Sequence, residues 1–254
     1  MDLSFANKNV LVTGGSRGIG RAIAHEFAEL GARVAVHYHQ NRTAAEETLV
    51  GLPGGPHLLV EADIAVPESA RKMVDTIVRE MGAIHVLVNS AGIYGTYTIV
   101  DLTYEEWQEK WERTIRINLM GPANTSFCVV QHMREHGGGK IVNVSSRGAF
   151  RGEPHAPDYG ASKAGLNALS QSMAKALAPH NIFVYVVAPG YVETDMSSAQ
   201  LAGPEGDAIR SESPLGRVAS PEEVARTVVF LASKGTDYLT GCIVDVNGAS
   251  YLRS

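Results

Sequence analysis

Seven short runs rich in valine and isoleucine punctuate the chain, at 10–13, 34–38, 57–60, 86–89, 141–145, 184–188 and 243–246. None alternates cleanly between apolar and polar residues. A strand that can afford this is covered on both faces, as in a parallel sheet flanked by crossover helices. Helical periodicity fills the intervals, near 19–30, 43–50, 67–81, 103–135, 160–178 and 221–233. Ser220 before Pro221-Glu222-Glu223 reads as a helix start, with a capping hydroxyl and a proline where no amide hydrogen is needed. Strand and helix alternating throughout predict one α/β domain over residues 1–254: a doubly wound parallel sheet of about seven strands with helices on both faces.

The remaining bulk properties narrow the function. A chain of 254 residues with 44% apolar content buries a large core without disulfide or metal staples. Cys128 and Cys242 are its only cysteines, too few for either scaffold, and no metal is expected. The net charge of −5 opposes a general nucleic-acid role. No apolar run approaches a membrane span, and the first residues lack a secretion signal, so a cytoplasmic protein without a membrane partner is expected. The 51–56 stretch (GLPGGP) reads as a turn rather than a linker.

The first strand runs into Thr13-Gly14-Gly15-Ser16-Arg17-Gly18-Ile19-Gly20, and a helix pattern follows at once. Glycines there let the chain turn sharply, bring its backbone against a phosphate and seat the helix close to the strand. The helix N-terminus then presents free N–H groups to a pyrophosphate. This is a Rossmann-type dinucleotide site in the making, although a plain glycine-rich turn has the same composition. The second strand ends Tyr38-His39-Gln40-Asn41-Arg42. An NAD site would place an acid near Tyr38 for the ribose 2′-hydroxyl, and none stands there. Arg17, Arg42 and His39 instead offer positive charge to a 2′-phosphate, so NADP(H) is preferred and NAD(H) is the alternative. Arg42 also fits a solvated helix start. Asp63-Ile64 follows the third strand. Asp63 fits two roles, accepting from an adenine amino group or capping the helix near Pro67. The fourth strand ends Asn89-Ser90-Ala91-Gly92, small residues beside which a cofactor can lie, with Asn89 able to brace a neighbouring strand.

Ser145 and Ser146 come after the fifth strand, and Tyr159 and Lys163 follow, four residues apart. On a helix the last two share a face. A buried ammonium beside a phenol lowers the phenol's pKa and makes it a usable acid or base. Ser146, at the carboxyl end of a strand, is placed to hydrogen-bond a substrate carbonyl. A surface Tyr–Lys pair is the alternative when the pattern is taken alone.

The combination T-G-x-x-x-G-x-G at 13–20, N-S-A-G at 89–92, Asn118 in IRINL, Ser146, Y-x-x-x-K at 159–163 and Pro189-Gly190 resembles the short-chain dehydrogenase/reductase family over essentially the whole length. The carboxyl end is most similar to that of bacterial 3-oxoacyl-acyl-carrier-protein reductases. The resemblance implies strand order 3-2-1-4-5-6-7 and catalysis by Asn118, Ser146, Tyr159 and Lys163. Tyr159 would be the general acid in reduction. Lys163 would lower its pKa and hold the nicotinamide ribose, Ser146 would orient the carbonyl, and Asn118 would hold a water in a proton relay. It further implies cofactor contacts at Gly14, Ser16, Arg17, Gly18, Ile19, Gly20, the 38–42 and 63–64 segments, Asn89, Ala91, Gly92, Pro189, Gly190, Val192 and Thr194. A substrate lid is expected near 191–210, with Gly203, Pro204 and Gly206 as hinges, and a homotetramer as the assembly. The substrate would be a small carbonyl or alcohol. Acyl carrier protein is a weaker expectation, because the family's docking arginines fall on Gly137 and His180, with Lys140 alone nearby. Two further departures are Ser90 in N-S-A-G and Asn247-Gly248-Ala249 in place of D-G-G.

Other residues carry less. His132 and His136, four apart on a helix, lack a third ligand. His37 and His39 share a strand face, and Trp107 and Trp111 read as one buried helix face. Phe150, His155 and Pro157 are expected to shape the substrate pocket.

Overall fold

Residues 3–253 are described by a computed structural model. In chain order the elements are β1 (Asn9–Thr13), α1 (Gly18–Glu29), β2 (Arg33–Tyr38), α2 (Arg42–Gly51), β3 (Leu58–Glu61), α3 (Pro67–Met81) and β4 (Val86–Asn89). There follow α4 (Tyr104–Ile115), α5 (Gly121–Glu135), β5 (Gly139–Val144), α6 (Gly148–Arg151) and α7 (Pro157–Leu177). The chain closes with β6 (Ile182–Pro189), α8 (Asp195–Ala202), α9 (Gly206–Ser211), α10 (Pro221–Ala232) and β7 (Ile243–Val246). All strand pairs are parallel, in the order β3-β2-β1-β4-β5-β6-β7. This is the doubly wound sheet that the strand–helix alternation predicts.

The missing polar alternation has its cause in two cores, one on each face. Successive strand residues point to opposite sides. Val10 and Val12 therefore meet Ile23 and Phe27 of α1 and Val224 and Val228 of α10. Leu11 between them meets the other layer, with Met73 and Ile77 of α3 and Val129 and Met133 of α5. Both faces need apolar residues, so no polar face is left to alternate. Cys128 and Cys242 are half-buried at the edges of these cores rather than within them.

Three departures from the periodicity matter for the site. The single helix expected over 103–135 is broken by a π-helical segment, Arg116–Met120, which carries Asn118. Such bulges insert an extra residue into a helical turn and re-aim a side chain. The segment expected as a lid contains two short helices, α8 and α9. Its base is strapped by a bridge between Val192 and Ala219, with Glu193 N donating to Ala219 O (2.9 Å). The tryptophan rings meet at a tilt of 44° with centres 5.3 Å apart but are only half-buried, so α4 presents no fully buried aromatic face. At α10 the expected cap is present: Glu223 N donates to Ser220 Oγ (3.4 Å), and Glu223 Oε2 accepts from Ser220 N (2.8 Å).

Candidate active site

Strand order reverses between β1 and β4, and the carboxyl ends of the strands on both sides open into a crevice there. The glycine turn follows β1. Gly14 has φ +68°, and a Cβ on it would lie 2.8 Å from Ala91 Cα. A Cβ on Gly20 would lie 2.1 Å from the Gly14 carbonyl oxygen. These two positions admit only glycine, one for conformation and one for space. Thr13 Oγ1 accepts from Ser90 N (3.1 Å) and Ala91 N (3.2 Å), fastening the β4 turn beside the β1 turn. α1 starts at Gly18 with Arg17 as an extended, uncapping N-cap residue, so no side chain claims its first N–H groups. This cradle fits a pyrophosphate by shape and by donors.

Around the cradle, Asn89 Nδ2 donates to Asn143 Oδ1 of β5 (2.8 Å) and to Ser126 Oγ (3.0 Å). Asp63 does not cap α3, whose N-cap is Val66. Its carboxylate instead accepts from Ala65 N (2.9 Å) in a local turn and stands 3.8 Å from His39 Nε2. Arg17 is exposed, and Arg42 pairs with Glu46 one helical turn on, at 2.8 Å. The Tyr38 hydroxyl donates to Glu61 Oε2 (2.9 Å). Reading β2 alone misses that acid, because it reaches Tyr38 across the sheet from β3, where Tyr38 and Glu61 are paired.

A cleft of about 150 Å³ lies at the carboxyl ends of β4, β5 and β6. Ser146, Tyr159 and Lys163 line it, as do Ile19, Gly92, Pro189, Gly190, Val192 and Thr194. Ser146 Oγ accepts from Gly148 N (3.0 Å), which fixes its rotamer. Asn118 is buried behind the cleft. Its Oδ1 accepts from Ile93 N (2.8 Å), and its Nδ2 donates to Ile93 O (2.9 Å) and Ser162 Oγ (3.2 Å). Ser162 Oγ in turn donates to the Tyr159 carbonyl (2.7 Å). Lys163 Nζ donates to Val144 O (2.9 Å). Gly92 leaves the gap between Asn118 and Lys163 open, because a Cβ there would lie 3.3 Å from Asn118 Oδ1 and 3.5 Å from Lys163 Nζ.

The electrostatics differ from the sequence expectation in one respect. Burial pushes the Tyr159 hydroxyl up to about 12, against a hydrogen bond with Ser146 that pulls it down. Glu153, Tyr94 and Tyr191 add to the rise. Burial also pushes the Lys163 ammonium down to about 8. Lys163 is not among the groups that shift Tyr159 in this arrangement: its ammonium donates to the Val144 carbonyl and stands 5.8 Å from the centre of the Tyr159 ring.

The pocket shapers also differ. Phe150 packs under Arg253, His155 is exposed and Pro157 opens α7, and none of the three faces the cleft. Tyr94, Arg147, Glu153, Tyr191, Met196 and Gln200 face it instead. Tyr94 meets Tyr159 edge-on at 4.9 Å. Arg147, 3% exposed, pairs with Glu212, donates to Ser250 Oγ (2.5 Å) and lies 5.0 Å from the Tyr191 ring centre. Arg151 reaches both Glu153 and Glu212 at 3.4 Å. Arg147 directly follows Ser146, so its adjacency was a usable signal. Glu212 lies far along the chain and left none. His132 and His136 stack at 3.9 Å, and among the described residues no group of three or more His, Cys, Asp or Glu has a metal-binding arrangement. Among the described residues no helix is long and apolar enough to cross a membrane.

A dinucleotide cradle beside a cleft holding a tyrosine, a lysine and a serine defines an NAD(P)-dependent oxidoreductase. A family model described as enoyl-(acyl carrier protein) reductase matches residues 14–249. The chain belongs to the short-chain dehydrogenase/reductase family. It is 36% identical over 248 residues to a 3-oxoacyl-[acyl-carrier-protein] reductase of Staphylococcus epidermidis, covering 97% of this chain and 100% of the relative. It is also 36% identical to the corresponding reductase of Aquifex aeolicus over 253 residues, covering 99% and 100%. The crystal structure of gox2181 superposes with a TM-score of 0.91 at 32% identity, over 98% of this chain and 97% of that one. A dehydrogenase/reductase from Sinorhizobium meliloti superposes at 0.90 with 29% identity, over 99% and 98%.

Proposed function

We propose that this protein is an NADP(H)-dependent carbonyl reductase acting on a small ketone, with a 3-oxoacyl thioester as the leading substrate class. The observation that carries the reading is the convergence of Ser146, Tyr159 and Lys163 on one cleft whose wall continues into Ile19 of the glycine turn. Relatives named as 3-oxoacyl-[acyl-carrier-protein] reductases support the substrate class.

In this reading Gly14, Ser16, Gly18, Ile19 and Gly20 bind the pyrophosphate side. Arg17, Tyr38, His39, Arg42, Asp63 and Ile64 bind the adenosine side. Asn89, Ala91, Gly92, Pro189, Gly190, Val192 and Thr194, with Tyr159 and Lys163, bind the nicotinamide side. The bound nicotinamide supplies the hydride. Ser146 Oγ donates to the substrate carbonyl oxygen, and Tyr159 passes its hydroxyl proton to that oxygen as charge develops there. Lys163 stabilises the phenolate left behind. Asn118 anchors the 92–93 backbone and shapes the proton path behind Lys163. Residues 191–210 act as a lid on the one catalytic domain, and closure excludes water from the cleft.

NADP(H) is favoured by exposed Arg17 and by Arg42 at the start of α2. A second reading, NAD(H), is favoured by Glu61, whose carboxylate beside Tyr38 opposes a 2′-phosphate. The proposed assembly is a homotetramer and the proposed location the cytoplasm; Val100, Tyr104, Met120 and Phe127 are exposed apolar residues available to a subunit contact. Carrier-protein docking has weaker support, because Gly137 and His180 stand at the expected arginine positions.

The test is oxidation of NADPH and of NADH, followed by absorbance, against acetoacetyl-CoA, a β-keto ester, a diketone, an aldehyde and a keto sugar. Thioester turnover with NADPH supports the reading, and turnover of the sugar alone reassigns the substrate. Tyr159→Phe is expected to abolish turnover and to keep cofactor binding. Undiminished turnover in that variant would refute the catalytic assignment.

A further inference from the structure

His37 lies in β2, 2% exposed, with polar contacts at both ring nitrogens. Gly14 N donates to Nδ1 (3.0 Å), and Nε2 faces the Ala62 carbonyl oxygen at 3.0 Å. Because a backbone N–H can only donate, Nδ1 must be the unprotonated nitrogen. The hydrogen then sits on Nε2 and is donated to Ala62 O. The main chain of the same residue adds a third contact, with Gly15 N donating to His37 O (2.9 Å). One neutral ring therefore ties the first residue of the glycine turn to the residue just before Asp63-Ile64.

We propose that His37 is a positioning residue for the dinucleotide: its neutral Nε2–H imidazole sets the separation between the pyrophosphate turn and the adenosine-side loop. This rests on the cofactor reading above, in which those two segments hold opposite parts of one ligand. Gly14 already sits at positive φ, and without an acceptor its N–H would be buried unpaired or the turn would relax. Either outcome moves an ordering cost onto cofactor binding. His37 touches neither hydride nor substrate, so its loss acts on affinity and leaves the chemical step alone.

The ring's two bonds can be separated by substitution. The Asn Oδ1 reproduces the position of Nδ1, and the Gln Nε2 reproduces that of the ring Nε2. His37→Asn keeps the Gly14 bond and gives up the Ala62 bond. His37→Gln does the reverse, and His37→Leu loses both. Dissociation constants for NADPH and NADH are measured by nucleotide fluorescence on the full chain, alongside KM and kcat. The expected result is a rise of about tenfold in dissociation constant and KM for His37→Gln and a larger one for His37→Leu, with kcat at saturating cofactor within about twofold of wild type. His37→Asn is expected to recover most of the affinity. Equal affinity in wild type and His37→Leu would overturn the proposal, as would equal weakening in the Asn and Gln variants, which indicates a packing role. Wild type that binds neither nucleotide would refute the cofactor reading itself and this role with it. If the variants do not fold, long-range proton–nitrogen NMR on the wild type decides. It should show the Nε2–H form at neutral pH with and without NADPH, and an Nδ1–H or doubly protonated ring refutes the proposal.

Discussion

Glu212→Ala is expected to destabilise this protein far more than loss of an ordinary surface carboxylate. Arg147 is 3% exposed and pairs with Glu212, so removing Glu212 strands a buried guanidinium. Stranding a fully buried partner costs about 3–5 kcal/mol. Two features reduce that figure here. The Ser250 Oγ bond and the Tyr191 ring remain on the guanidinium, and the Glu212 side chain is a third exposed, so water can enter the space it leaves. Arg151 also loses a partner, but it keeps Glu153. The net expectation is about 2–3 kcal/mol, which for a domain of this size lowers Tm by roughly 4–12 °C. Urea unfolding at neutral pH, supported by calorimetry, measures it. Glu212→Gln separates charge from hydrogen bonding and should fall between alanine and wild type. Because Arg147 neighbours Ser146 and Glu212 follows the proposed lid, KM for the ketone should rise with the loss of stability. A loss below about 0.5 kcal/mol, the scale of an exposed ion pair, would refute the argument that this charge depends on Glu212.

Gly20→Ala places a Cβ against the Gly14 carbonyl and should abolish measurable nucleotide binding by fluorescence titration while circular dichroism still reports a folded chain. Glu153→Gln removes a field that raises the Tyr159 pKa, so in the alcohol-oxidation direction the rise of kcat/KM with pH should move to lower pH; an unmoved profile would exclude that field. His37, pushed down to about 4 by burial, with His39 and Asp63 as the charged neighbours, should make stability fall with acid. Above pH 6.5 both folded and unfolded forms are neutral; between about 6.5 and 4 only the unfolded chain takes up the proton, a loss on the order of a few kcal/mol that urea titration of wild type against His37→Asn should isolate.

The chain's linear pattern was enough to read the sheet and the chemistry-bearing residues. Runs without polar alternation mean strands covered on both sides, and the 13–20 and 159–163 motifs encode local geometry, a tight turn and one helix face, that depends only on near neighbours in sequence. The break at Arg116–Met120 was not legible, because a helical period continues through it and the Asn118 hydrogen bonds to the Ile93 backbone that accompany the π-helical turn join residues 25 apart in the chain. Pocket shape was also illegible from the loop before Tyr159. Phe150, His155 and Pro157 were reasonable by adjacency, yet the loop turns them away and brings Glu153 inward beside Arg151.

By itself, then, the sequence determined the class of fold, the nucleotide turn and the serine, tyrosine and lysine that define the family, because each is written in short-range spacing. Only the tertiary structure decided the electrostatic character of the site. Glu61 reaches Tyr38 from another strand, Glu212 reaches Arg147 from far along the chain, Lys163 donates to the Val144 carbonyl, and burial raises Tyr159. The energy of a charge depends on its distance from other charges and from water, and folding sets both distances between residues that are far apart along the chain.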